Sequence, residues 1–117
     1  MMVLYLPIPN SANTHWRHGR GITYLSANGR EFRKCVLGIV QTVFPDFEAL
    51  TGRLEVKICI HPKDRRKIDI DNRIKPCLDA LQHANVFVDD EQIDRLIVER
   101  HGIVKDGQCI VTIMEIN

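Results

Sequence analysis

Long apolar runs are missing from this 117-residue chain. The longest is a handful of residues, far short of the roughly 20 that span a bilayer core, so no transmembrane helix is expected. Met1 to Pro9 lacks a basic segment and is too short for a secretory signal, so export is not expected either. Repeats, linkers and low-complexity tracts are also absent. The four cysteines (Cys35, Cys59, Cys77, Cys109) form no C-x-x-C pair, and no histidine stands at zinc spacing from them. An unexported chain keeps its thiols reduced, so the cysteines read as small hydrophobes in or near the core. Nor is there much net charge, only +1. What is present, 44% hydrophobic and 26% charged residues over one domain's length, suits a soluble globular fold of residues 1–117. At that size roughly two thirds of the unfolded surface can be buried.

The small net charge hides a division. Residues 1–68 carry eleven Lys/Arg against five Asp/Glu, whereas residues 69–117 carry five against ten. A basic half beside an acidic half suits a site that holds cations while it binds a polyanion. Along the chain, Met2–Ile8 reads as a short strand closed by Pro7 and Pro9, and Asn10–Thr23 as a polar loop. Ser26 is an N-cap candidate for a helix whose apolar stripe is Phe32, Cys35, Val36, Ile39, Val40 and Val43, ended by Pro45. Alternation over Arg53–His61 predicts a half-buried strand, followed by the basic loop His61–Lys67 and a strand-like IDID. A second helix carries Ile74, Cys77, Leu78 and Leu81 on one face, with Pro76 in its first turn and Asn85 as a left-handed C-cap. Ile93–Arg100 and Gln108–Ile116 read as strands, with Asp106-Gly107 between them as a hairpin signal. The order predicts an α+β fold with two main helices on a mixed sheet.

The chemistry concentrates in Asp69-Ile70-Asp71-Asn72, then Lys75, then Asp89-Asp90. On an extended segment Asp69 and Asp71 face the same side. Two carboxylates that close repel unless a cation lies between them, and Mg²⁺ takes oxygen ligands from one or two carboxylates plus a substrate phosphate. A return of the chain after the helix can bring Asp90 beside the pair, and Lys75 lies one turn into the helix. Three acids and a lysine around a metal form a recurrent phosphodiester-cleaving arrangement. The competing structural reading makes Asp71 or Asn72 a helix cap, Asp89-Asp90 a turn and Lys75 a solvated side chain.

The stretch RRKIDIDNRIKPCLDAL…VFVDDEQI resembles the signature of the RusA family of Holliday junction resolvases, found in phages and bacterial prophages. LPIPNSANTHWR…GRGITYLSANGREFR resembles the same family's opening, so the likeness spans nearly the whole chain. It implies a homodimeric crossover junction endodeoxyribonuclease that uses Mg²⁺, with Mn²⁺ as a substitute, on four-way and other branched DNA in recombination and repair. It further implies that Asp69, Asp71 and Asp90 bind the metal and that Lys75 assists cleavage, these four being the catalytic set. The implied location is the bacterial cytoplasm, at the nucleoid, with no membrane partner. Asn85 stands where a glycine is common and Asn10 where a second proline is common; no catalytic position departs.

Three other readings remain. Asp46, Glu55 and Lys57 mimic the PD…E-x-K pattern of a different nuclease superfamily, although E-x-K is ordinary content for a polar strand face. A non-catalytic junction-binding protein would use the same acids structurally. A hydrolase of small phosphate esters would not need an extended cationic surface. For binding DNA the candidates are Lys63, Arg65, Arg66 and Lys67, with Asn13, Arg17 and Arg20 from the N-terminal loop; Trp16 is either a base-stacking residue or a half-buried anchor. The five histidines show no paired metal spacing and read as surface or DNA-facing residues. A homodimer also fits the need for two symmetric incisions, with Ile110, Met114 and Ile116 as a surplus apolar face.

Overall fold

The computed structural model describes residues 1–19 and 22–116, and for 14–17 and 22–24 the backbone alone. Its main sheet holds four strands: β1 (Met2–Leu6), β4 (Arg53–His61), β5 (Ile93–Arg100) and β6 (Gln108–Ile116), in the spatial order β1-β6-β4-β5. β6 runs antiparallel to both neighbours, and β4 and β5 are parallel, so the sheet is mixed as expected. Parallel neighbours need a crossover, and α3 (Ile74–His83) supplies it between β4 and β5.

Strand alternation sorts the residues. Leu54, Val56, Ile58 and Ile60 of β4, Leu4 and Leu6 of β1, and Cys109, Val111 and Ile113 of β6 are buried on one face. Helices α2 (Ala27–Val43) and α3 cover that face with Phe32, Val36 and Val40, and with Cys77, Leu78 and Leu81. Each such aliphatic side chain contributes about 1.5–3 kcal/mol by leaving water. Ser26 caps α2 as predicted, accepting from the Gly29 amide at 3.0 Å. Asn85 ends α3 in the left-handed region (φ 60), where the Val86 amide donates to the Leu81 carbonyl at 3.0 Å. Among the described residues no helix covers the opposite face of the sheet. There Val3, Tyr5, Ile110 and Met114 lie on the β1–β6 side, and Glu55, Lys57, Cys59, Arg95 and Glu99 on the β4–β5 side.

Four expectations are corrected. Cys35 and Val43, expected on the apolar stripe of α2, are exposed, so Cys35 alone of the four cysteines is not buried. The segment 10–23 is not simply a loop: it holds α1 (Ala12–His15) and strand β2 (Trp16–Gly19), which pairs antiparallel with β3 (Ile22–Leu25). Its polar, glycine-bearing composition masks the hairpin. The IDID segment is not extended, because Ile70 is helical (φ −68, ψ −31) and Asp71–Arg73 form a 3-10 turn leading into α3. Both edges of β4 are already taken by β5 and β6, so IDID has no ladder to join there. Finally, Asp106-Gly107 does not pair β5 with β6, since β4 lies between them. The strongly apolar β6 takes a central place and the charged β5 an edge, which keeps that edge from pairing with other chains. The turn itself is real: Asp106 and Gly107 have φ of 67 and 74, and a Cβ on Gly107 would collide with the Ile8 side chain.

Candidate active site

Lys75 is the centre of the acidic end. It projects from the first turn of α3, and its Nζ lies 2.8 Å from Asp90 Oδ2 and 3.1 Å from Asp79 Oδ1. The hydrogen bond from Lys75 holds the Asp90 carboxyl below the usual carboxylate range, and the same bond, helped by Asp79, raises Lys75. Both groups are therefore charged at neutral pH. The expected return of Asp90 to the start of the helix is what the fold provides, across 15 residues of sequence.

The acid pair Asp89-Asp90 divides its labour. Asp89 accepts from the Glu91 amide at 3.0 Å and forms a capping box with Gln92, so it is the structural member. Asp90 is left to face Lys75. Its amide donates to Gln82 Oε1 at 3.1 Å, and buried Gln92 accepts from the Val88 and Asp89 amides while donating to the Leu50 and Gly52 carbonyls. Sequence reading overlooked Gln82, Gln92 and Asp79. Two of them were legible: D-x-x-Q is a capping-box pattern, and Lys75–Asp79 is an i, i+4 pair.

Asp69 and Asp71 are exposed at the turn before α3. Neither the 3-10 turn nor α3 has a side-chain cap at its start, so the capping role foreseen for Asp71 or Asn72 is not filled. Because Ile70 is helical, strand alternation does not align the two acids. Arg73 sits beside Asp69, and its Nη1 donates to the Pro9 carbonyl at 2.8 Å, tying this turn to the end of β1. Among the described residues the carboxylates of Asp69, Asp71 and Asp90 do not all lie within 4.8 Å of one another, and Lys75 is the cation beside Asp90.

The basic loop rims a cleft of about 680 Å³ between Pro7–Asn10, the start of α2 and residues 62–68, with Arg73 at its wall. Lys63, Arg65 and Lys67 are exposed. Arg66 is tied to Asp64, Nη2 to Oδ2 at 2.7 Å, inside an Asx-type turn closed by the Arg66 amide. Asn13 is exposed on α1. Arg17 and Trp16 lie on β2 with their side chains outside the description, and Arg20 lies outside the described residues.

The residues of the rival nuclease pattern are otherwise engaged. Glu55 pairs with Arg95 at 3.2 Å and Lys57 with Glu99 at 3.4 Å, both across the β4–β5 ladder. Asp46 occupies the left-handed turn (φ 61) after α2. Two of the histidines, His61 and His101, are ring neighbours, with centroids 5.2 Å apart. They are 40 residues apart in sequence, so no local spacing showed it.

The sequence pattern of the family Endodeoxyribonuclease RusA matches residues 6–114. Crossover junction endodeoxyribonuclease RusA of Shigella sonnei strain Ss046 is 36% identical over 110 residues, covering 94% of this chain and 91% of that protein. The proteins of that name from Enterobacteria phage HK97 (37% over 111 residues, 95% and 92% covered) and Enterobacteria phage 82 (36% over 110 residues, 94% and 91%) are similar to the same extent. With a match of this length, and an acid–lysine group at the start of α3, the chain belongs to the RusA endodeoxyribonuclease family and is an endonuclease.

Proposed function

We propose that this endonuclease resolves four-way DNA junctions, and related branched DNA, by paired symmetric incisions during recombination and repair in the cytoplasm of a bacterium that carries it as a phage or prophage gene. The observation that carries the reading is the Lys75–Asp90 contact at 2.8 Å, with Asp71 exposed at the turn just before α3. Mg²⁺, or Mn²⁺ in its place, is the ion this donor set fits: Asp69, Asp71 and Asp90 offer only hard carboxylate oxygens, and Asp90 already faces a cation. When bound, such an ion supplies an activated water and offsets charge on the transferring phosphoryl group. The chain's own residues do the rest. Lys75, exposed and charged, stabilises negative charge developing on the phosphate or the leaving oxygen. Lys63, Arg65 and Lys67 hold flanking phosphates, with Arg66, Arg17 and Arg20 beside them, while Asn13 and Trp16 meet the branched strand.

A homodimer would supply two such sites for a substrate with approximate two-fold symmetry. The uncovered face of the sheet supports pairing: Tyr5 is 60% and Met114 39% exposed, and Val3, Ile110 and Ile116 share their face. The test is a labelled four-way junction with and without Mg²⁺. Cleavage should need the ion, and Asp71→Asn should abolish it while junction binding stays equal or tightens. On a supercoiled plasmid carrying a junction, a heterodimer of wild-type and Asp71→Asn chains should give nicked circles and the wild-type dimer linear product. Cleavage by Asp71→Asn at the wild-type rate would overturn the site; a chain still monomeric on the junction would overturn the dimer.

A further inference from the structure

A second group of metal-ligating side chains lies on the helix-free face of the sheet, apart from the acids around α3. Cys59 of β4 and Glu99 of β5 are register partners in the parallel ladder. Two residues further on, and so on the same face, come His61 and His101; the His101 amide donates to the Ile60 carbonyl at 2.8 Å, which keeps it in line with β4. The four side chains thus form a square set by strand register.

Three of their donor atoms converge, and His61 lies beside them with its ring centroid 5.2 Å from that of His101. His101 Nε2 is 2.9 Å and Cys59 Sγ 4.0 Å from the same oxygen, Glu99 Oε1, and the three donor atoms lie within 4.8 Å of one another. Ligand atoms held about 2.0–2.3 Å from a tetrahedral zinc stand about 3.3–3.8 Å apart, so the spacing needs only small side-chain adjustments. His61 is prepared as well. Its Nδ1 lies 2.8 Å from the Gly102 carbonyl, which can only accept, so Nδ1 carries the proton and Nε2 keeps its lone pair. Cys59 is 8% exposed and lies outside the main core cluster, at the surface of the sheet. Lys57, 3.4 Å from Glu99, is the competing cation.

We propose that Cys59, Glu99 and His101, with His61 as the fourth donor, form a binding site for zinc or a zinc-like transition-metal ion. A thiolate with imidazoles selects such ions over Mg²⁺, which takes oxygen ligands. Binding displaces the Cys59 thiol proton to solvent, moves the proton that His101 Nε2 donates to Glu99 onto Nδ1 of the same ring, and clamps β5 and the crossover that begins at His101 onto β4. The site is independent of the junction-cleaving reading.

The test loads the purified full-length protein with Zn²⁺ and, in parallel, Co²⁺. One equivalent of zinc per chain should survive dialysis against a large excess of Mg²⁺ and raise the melting temperature. The cobalt form should show a thiolate-to-metal charge-transfer band. Cys59→Ser should lose that band, and His101→Ala, a change at an exposed residue that protects the test if Cys59→Ser misfolds, should weaken zinc binding at least about tenfold. Asp71→Asn should keep the full equivalent. Three results would overturn the proposal: no retained zinc in the wild type, unchanged binding in His101→Ala, or loss of the zinc in Asp71→Asn.

Discussion

The parallel pair β4–β5 and the connection between its strands each carry a group of ionisable side chains, and the two are built differently. The thiol–imidazole group is positioned by strand register: Cys59 and Glu99 face each other in the ladder, and His61 and His101 follow just past its last pair, where the His101 amide still donates to the Ile60 carbonyl. The acid–lysine group is held by the connection between the strands. Asp69 and Asp71 stand on a turn, Lys75 on the first turn of α3, and Asp90 on a loop clamped by Gln92 and Gln82. A ladder fixes positions closely and keeps the first group assembled without a ligand. Turns leave the second group adjustable, with Lys75 as its internal counter-ion. An endonuclease that must accept and release a bulky DNA substrate is better served by the second design.

The largest effect that separates the groups is expected at Lys75. Lys75→Met should lower single-turnover junction cleavage about 10²–10³-fold, the scale for one preorganised charge-stabilising group, while zinc binding at Cys59 is unchanged. The variant also has a pH signature. The Lys75 hydrogen bond lowers the Asp90 carboxyl in the folded state, so this pair stabilises the fold above the unfolded pKa of Asp90 and loses that contribution as pH falls through the folded one. Without Lys75 the Asp90 titration, followed by carboxyl NMR, should move upward toward the ordinary carboxylate value. If it does not move, the contact is absent in solution.

The two designs also explain what was legible in the sequence. Alternation in Arg53–His61 and the helical stripe Phe32–Val43 are local periodicities, and both elements form where expected. The acids and the lysine could be picked out because their spacing is short and they match a family pattern. What escaped was non-local. The Cys59–Glu99 and His61–His101 meetings depend on β4 and β5 being parallel neighbours, and Asp106-Gly107 pointed to a different pairing, β5 with β6. A turn dipeptide reports local φ values; it does not report which strand lies alongside. IDID failed for a related reason: alternation does not report whether the backbone joins a ladder, and here Ile70 turns into the helix instead.

The basic loop joins the two regions, running from His61 at the end of β4 to Asp69, so its salt dependence tests which of them DNA follows. Replacing Lys63, Arg65, Arg66 and Lys67 together by Ala should flatten the log–log dependence of junction affinity on salt by about three units, at about 0.9 per lost phosphate contact. Zinc binding should be untouched. Arg66→Ala alone should contribute less than Lys67→Ala, because Asp64 already pairs with Arg66. An unchanged slope in the quadruple variant would mean that the loop does not touch DNA.

The smallest effect is expected at Lys57, and it sharpens the comparison because each region predicts a different result. In the PD…E-x-K reading Lys57 steadies the attacking water, so Lys57→Ala, like Glu55→Ala, should be inactive. In the arrangement described here Lys57 only neutralises Glu99 on the helix-free face, 3.4 Å away. Exposed ion pairs are weak, so stability should hardly change. Cleavage of a four-way junction by Lys57→Ala should then stay near the wild-type rate. Zinc affinity should rise, since Glu99 is released from its competing cation; the strength of exposed pairs suggests about two- to fivefold. Junction cleavage measured beside zinc competition with a chromophoric chelator reads both. An inactive Lys57→Ala would return the active site to β4 and remove Lys75 from its centre, whereas full activity with unchanged zinc affinity would show that Glu99 is not a ligand.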